Sequence, residues 1–274
     1  MRKLQILLVI LFIISTVAFG LTFAYNIFYA DHEPPVLTSN VDFIEVSAAA
    51  KESELLTGLS ANDNVDGDIT DQIQVKSVSS LIGVRTAQVT YVVFDEASNA
   101  ATLTREVHYT DYQKPRFALS KPLIYGASQT VTLLDRLSAN DMADGDLTSK
   151  IQLTMLNLSN NIEGTYQIRI MVSNSLGDSA MLPLTVTIRN DPTGTPKIEL
   201  EEYLVYTSVN QPLDLESYIT SVTDPSAPAA RISADDVDIS ENIDYTTPGV
   251  YEVEYRYTGS TGLEYSVILT VVVE

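Results

Sequence analysis

A chain of 274 residues, 45% of them hydrophobic, is long enough for two or three folded cores. Asp and Glu outnumber Lys and Arg 36 to 16, a formal net charge of −20; a surface this acidic repels phosphate backbones and argues against nucleic acid as a partner. There is no cysteine, and the two histidines, His32 and His108, lie in different parts of the chain, so disulfides, thiolate zinc sites, cysteine nucleophiles and Ser-His-Asp triads fall away.

In chain order, Met1-Arg2-Lys3 leads into an uncharged apolar run from Ile6 to Ala24. As a helix rising about 1.5 Å per residue, that run spans ~29 Å, the thickness of a bilayer core. Arg2 and Lys3 precede it, so the positive-inside rule places the amino terminus in the cytoplasm and the rest of the chain outside. Tyr25, Phe28 and Tyr29 then fall where an aromatic interface belt is expected. Residues 1–30 are read as a cytoplasmic stub and membrane anchor. A cleaved signal peptide is the alternative, with small residues at Ala18 and Gly20 or at Thr22 and Ala24; the protein is then secreted. The apolar run exceeds the usual length of a signal core, which favours the anchor, and both readings export the remainder of the chain.

Asp31-His32-Glu33-Pro34-Pro35 reads as a stiff solvated spacer. Beyond it the chain repeats itself. Leu59–Ile73, LSANDNVDGDITDQI, returns at Leu137–Ile151 as LSANDMADGDLTSKI, with ten of fifteen positions identical at a constant offset of 78. In the first copy Val41–Val46 and Gln88–Phe94 read as strands, the latter with Val89, Tyr91 and Val93 on one face. A last strand carries Leu103, Val107 and Tyr109 inward, and Arg105 interrupts that row as an edge position or bulge would. In the second copy Tyr166, Ile168, Ile170 and Val172 share a face, and Pro183 implies that the closing strand begins at a sheet edge. Asn190–Pro196 has linker composition. A diverged third unit keeps Tyr251, Val253, Tyr255 and Tyr257 in alternation and a hairpin turn at Gly259–Gly262. Units of about 75 residues with short strands and turn signals indicate antiparallel sandwiches. The fold class expected is all-β: three tandem immunoglobulin-like sandwiches after an N-terminal transmembrane helix, over residues 31–110, 111–190 and 191–274.

The pattern Ala61, Asp63, Asp66-Gly67-Asp68-Ile69-Thr70, then Tyr91, Asp95 and Asn99, resembles the bacterial immunoglobulin-like domains of the type first named from pesticidal crystal proteins. It recurs as Ala139, Asp141, Asp144-Gly145-Asp146-Leu147-Thr148, then Gly164, Tyr166, Asn174 and Asp178. The resemblance implies tandem modules of Gram-positive surface proteins that act as spacers or binding units. Ala87 stands where the later units have Tyr166 and Tyr251, so the first lacks a tyrosine corner.

Chemistry is confined to the acidic loops. Asp63, Asp66, Asp68 and Asp95 in the first copy, and Asp141, Asp144 and Asp146 in the second, with Asn174 or Asp178 in support, are candidate calcium ligands, since calcium takes six to eight hard oxygens. The alternative is that the aspartates cap turns through backbone amides. The spacing is not that of an EF-hand. No phosphate-cradling loop or cleft-building insertion is present, and catalysis is not expected. His108 is expected to face the surface. The inward tyrosines read as core, whereas Tyr203, Tyr206 and Tyr218 in the third unit hint at contacts. The function expected is a non-catalytic, membrane-anchored extracellular protein that adheres to a protein or glycan at the end of an extended stalk. The alternative is a structural spacer or scaffold for another envelope protein. The carboxy terminus carries no sorting motif, so attachment is expected through the amino-terminal helix.

Overall fold

The computed structural model describes residues 2–28, 31–155, 159 and 162–274. Helix α1, Arg2–Phe28, contains a 21-residue stretch, Gln5–Tyr25, of mean hydropathy 2.7 with none of it buried; by length and composition it can cross a membrane. Tyr29, expected in the interface belt, lies outside the described residues. The chain divides into two compact units, Met1–Thr110 and Asp111–Glu274.

The first unit is a sandwich built from a three-stranded and a four-stranded sheet. Strands β1 (Val36–Ser39), β3 (Leu59–Asp63) and β4 (Gly67–Asp68) make the smaller, in the order β1-β3-β4. Strands β2 (Phe43–Val46), β5 (Gln74–Val78), β6 (Thr86–Phe94) and β7 (Ala100–Tyr109) make the larger, in the order β2-β7-β6-β5. A four-residue helix, α2 (Glu52–Leu55), precedes β3. The period-two rows hold: Ala87, Val89, Tyr91 and Val93 of β6 are fully buried, each between outward polar or partly exposed neighbours.

Arg105 departs from expectation. It is in no bulge and it is not solvent-facing: it lies in the core, 4% exposed, paired with Val89 of β6 on one side, just short of Glu106 where the pairing of β7 with β2 begins on the other. Its guanidinium survives there because each of its three nitrogens donates a hydrogen bond. Nε donates to the Tyr91 hydroxyl at 3.1 Å, Nη2 to the Leu55 carbonyl at 2.7 Å and Nη1 to Ser39 Oγ at 3.1 Å.

The same plan recurs twice in the second unit. One sandwich pairs β8 (Arg116–Leu119), β10 (Leu137–Asp141) and β11 (Gly145–Asp146) against β9 (Ile124–Tyr125), β12 (Gln152–Met155), β13 (Gly164–Ser173) and β14 (Ser179–Ile188), the latter in the order β12-β13-β14-β9. The other pairs β15 (Lys197–Leu200) and β17 (Ile219–Thr223) against β16 (Leu204–Thr207), β18 (Asp238–Ser240), β19 (Gly249–Thr258) and β20 (Glu264–Val273), in the order β16-β20-β19-β18. All three sandwiches share one exceptional pairing: a short early strand runs parallel to the last strand, β2 with β7, β9 with β14 and β16 with β20. The fold is all-β, tandem and immunoglobulin-like. Pro183 sits where β14 has a partner on one side only, because β9 reaches just Thr187 and Ile188.

The stretch expected as a free linker does not separate independent beads. Buried residues from Phe117 to Val273 form one continuous cluster. The Phe117 amide donates to the Tyr206 hydroxyl at 2.9 Å, Arg116 lies 4.9 Å over the Tyr206 ring and pairs with Glu274, and the Tyr203 amide reaches the Leu119 carbonyl at 3.3 Å. Thr185 bonds Glu252, which brings the outer face of β14 to that of β19. These two sandwiches therefore dock side by side rather than end to end, and the stalk expectation is corrected here. The tyrosines that hinted at outside contacts turn inward: Tyr203 is buried, Tyr206 is part of the docking surface, and Tyr218 is half-buried against the same core.

Candidate functional site

Each sandwich closes one end with the same device, an acidic loop after its third strand facing the turn before its last. The turn Asp66-Gly67 needs its glycine, which adopts φ +75, and Gly145 in the second copy adopts φ +72. In the first sandwich Asp66 Oδ2 accepts the Glu96 amide at 2.7 Å. In the second, Asp144 Oδ2 accepts the Ser175 amide at 2.9 Å, and in the third Asp224 Oδ2 accepts the Ser260 amide at 2.8 Å. Asp224 has no counterpart in the DGD pattern, and sequence reasoning misses it; its role is visible only in its position just after β17.

The candidate ligands separate into two groups. Asp68 and Asp146 are turn caps: each accepts the amide two residues on, Thr70 at 3.0 Å and Thr148 at 2.8 Å, and these hydrogen bonds with the threonines hold both carboxyls below the usual range. Asp144 is pushed up by burial but pulled down further by Ser175 and Lys150, whose Nζ lies 3.0 Å away, and its carboxyl ends below the usual range. Asp144 thus spends both oxygens on the facing turn, and Asp66 one.

Asp63 and Asp95 do come together, and a third residue joins them. Asp31, Asp63 and Asp95 place one carboxylate oxygen each within 4.8 Å of one another, with Asp63 and Asp95 buried and Asp31 half-buried. Asp63 Oδ1 accepts the amides of Val65 at 2.9 Å and Asp66 at 3.0 Å, which lower its pKa, the Asp66 amide most, against the opposing effect of burial. Asp95 accepts the Asn99 amide and side chain, each at 2.7 Å. Asn99 Nδ2 also reaches the carbonyls of Asp31 at 3.3 Å and Glu33 at 3.4 Å, so the expected solvated spacer is strapped to the domain. Two buried oxygens, Asp31 Oδ2 and Asp63 Oδ2, have no hydrogen-bond partner. No Lys or Arg ion pair among the described residues reaches the three carboxylates.

The second sandwich is complete at the equivalent place. Asp141 Oδ1 accepts the Asp144 amide and Oδ2 accepts Asn174 Nδ2, each at 2.7 Å. Asn174 stands where the first copy has Asp95, and Tyr112 bridges it to Asp178 through bonds of 2.9 Å. Burial pushes the Tyr112 hydroxyl upward. His108, expected at the surface, is partly exposed and stacks on Phe43 with ring centroids 4.6 Å apart.

No protein-family model matches the chain. It is 27% identical over 217 residues to the pesticidal crystal protein Cry22Aa of Bacillus thuringiensis, a match covering 74% of this chain and 28% of that protein. The chain thus spans under a third of the curated relative, and the relationship is distant. Among solved structures it is similar to the M60 catalytic domain with the CBM51-1 and CBM51-2 domains of Clostridium perfringens ZmpB, at 15% identity, covering 88% of this chain and 31% of that one with a TM-score of 0.24. It is also similar to the protocadherin gammaB7 EC3-6 cis-dimer, at 14% identity, covering 88% and 74% with a TM-score of 0.21.

Proposed function

We propose that the chain is a non-catalytic, membrane-anchored extracellular protein of three immunoglobulin-like domains, 31–110, 111–190 and 191–274, that binds a protein or glycan of the cell envelope. The apolar length of α1 and the cations at Arg2 and Lys3 support anchoring with the carboxy-terminal region outside. The observation that carries binding is the Phe43–His108 stack on the outer face of β2 and β7. It holds a large apolar ring 47% exposed on a sheet face, beside Glu106, which bonds His108. Aromatic rings presented this way are the surface groups that dominate recognition energetics.

The test uses the full chain in phosphatidylcholine nanodiscs, presented to a glycan array and to solubilised envelope proteins, beside Phe43→Ser. A glycan or protein held by the wild type and released by the variant supports the reading. Equal retention by both would remove the stack from it. The second reading, a structural scaffold, is favoured by the docked sandwiches of the second unit, which use Tyr203 and Tyr206 internally. As a pure spacer it predicts that neither the glycan array nor the envelope proteins retain the chain, and as a scaffold that an envelope protein is held equally by the wild type and by Phe43→Ser.

A further inference from the structure

We propose that Asp31, Asp63 and Asp95 form a calcium site in the first sandwich alone, with Asp31 supplied by the segment just after the membrane helix. Three observations carry this. The first is the geometry. Two oxygens bound to one calcium at about 2.4 Å cannot lie more than about 4.8 Å apart, and the three carboxylate oxygens all meet that limit. The second is an unmet bond. Asp63 is 3% exposed and its Oδ2 has no partner, although its Oδ1 is held by two amides; Asp31 Oδ2 is likewise enclosed and unpartnered. A buried carboxylate oxygen left without donor or cation is costly, and a buried group normally finds one. Three carboxylates here share a volume with no Lys or Arg ion pair among the described residues, so a divalent cation is the partner the charge requires.

The third observation is internal to the chain. The second sandwich has the same loop but answers the same need with neutral donors: Asn174 replaces Asp95, its amide takes the oxygen of Asp141, and Tyr112 closes the network. The third gives both Asp224 oxygens to amides, of Ser226 at 2.9 Å and Ser260 at 2.8 Å. One loop design is therefore finished with protein donors twice and left open once, where the chain leaves the helix. Asp66 and Asp68 stand outside the three-carboxylate group, and one oxygen of each serves Glu96 and Thr70. The remaining ligands come from water and from main-chain oxygens beside the three carboxylates. Calcium bound this way ties the segment after α1 to β3 and to the turn after β6, so it stiffens the junction between helix and first domain.

The experiment is calorimetric titration of calcium into the full chain, held in phosphatidylcholine nanodiscs at physiological salt so that neither lipid headgroups nor the diffuse acidic surface contributes. The expected result is one calcium per chain, weakened at least about tenfold in Asp31→Asn and Asp63→Asn, because affinity depends on the count of charged ligands. Asp141→Asn is expected to bind as the wild type does. Asp31 lies outside the sheets, so its variant keeps the test valid if Asp63→Asn fails to fold. Absence of binding at millimolar calcium overturns the proposal, and so does unchanged affinity in Asp31→Asn. Equal affinity for magnesium, which requires oxygens at about 2.0–2.1 Å, overturns the assignment to calcium.

Discussion

Tyr91 and Arg105 donate to the same main-chain oxygen inside the first sandwich, the Leu55 carbonyl, at 2.8 Å and 2.7 Å, while Arg105 Nε donates to the Tyr91 hydroxyl at 3.1 Å. The guanidinium lies 5.1 Å from the Tyr91 ring centre, and no carboxylate pairs with it among the described residues. The third sandwich keeps half of this arrangement: Tyr255 donates to the Leu215 carbonyl at 2.8 Å, and the residue at the position of Arg105 is Leu269. In the second, that position is Leu184.

Arg105→Leu should therefore be close to neutral, within about 1 kcal/mol of the wild type. It removes the cost of a buried charge, leaves the Tyr91–Leu55 bond intact and installs the side chain the sister sandwiches already pack. Arg105→Ala should cost roughly 2–4 kcal/mol, because both variants lose the bonds to Leu55 and Ser39 but only alanine leaves a cavity. Hydrogen exchange at the buried amides of β6 reads both.

Tyr166 and Tyr251 close their turns alike, donating to the carbonyls four residues earlier, Ile162 at 2.7 Å and Thr247 at 3.0 Å. Replacing either with Phe should lower the stability of its own sandwich by about 1 kcal/mol, the net worth of one hydrogen bond. Installing tyrosine at Ala87 should not confer that gain. Ala87 is fully buried, so a ring there overpacks the core and costs roughly 1–3 kcal/mol. Denaturant unfolding of the three single variants ranks them.

The missing corner of the first sandwich was legible from one aligned position, and so were the long strands, because β6, β13 and β19 each alternate over nine or ten residues. The strands β1, β2, β8 and β9 were not, or only in part. Runs of two to four residues carry too little periodicity, and their place is set by pairing with strands far along the chain. The acidic cluster was half legible. Asp63 and Asp95 sit in turns whose chemistry is local, whereas Asp31 joins them from a segment that sequence alone reads as solvated spacer. The burial of Arg105 was not legible, because a charge in an inward row normally reaches solvent and its partners, Ser39 and Leu55, are 66 and 50 residues away. The docking of the second and third sandwiches left a signal only in Tyr203 and Tyr206, which hint at contacts without naming the partner; Thr185 and Arg116 are ordinary surface residue types.

Gly67 and Gly145 offer a clean measure of backbone strain. Both adopt left-handed φ, +75 and +72, and a Cβ built on either meets nothing within 4 Å. Alanine at each should cost about 1 kcal/mol from conformation alone, with asparagine recovering part of it. Gly249→Ala is the contrasting case: its φ is not left-handed, but a Cβ would lie 3.2 Å from the Tyr251 ring, so its cost comes from contact and should vanish in the Tyr251→Ala background. A double-mutant cycle by chemical denaturation separates the two mechanisms.

Acid should weaken the turns that the aspartates cap. The amides of Ser260 and Ser226 hold the Asp224 carboxyl below the usual aspartate range, the former most strongly. A depressed native pKa means that, on acidification, the unfolded chain takes up the proton first, so the stabilisation is complete above about pH 5 and is lost as pH falls through the ordinary value near 3.9 and on through the native one. Asp146 takes the same course through its bonds to Thr148. Asp224→Asn offers the two amides one neutral oxygen in place of a carboxylate. It should melt below the wild type at neutral pH, and its midpoint should fall less steeply between about pH 5 and pH 2. Wild-type and variant melting curves should converge at the acid end; parallel curves at every pH would mean that the Asp224 carboxylate contributes nothing to the turn it faces.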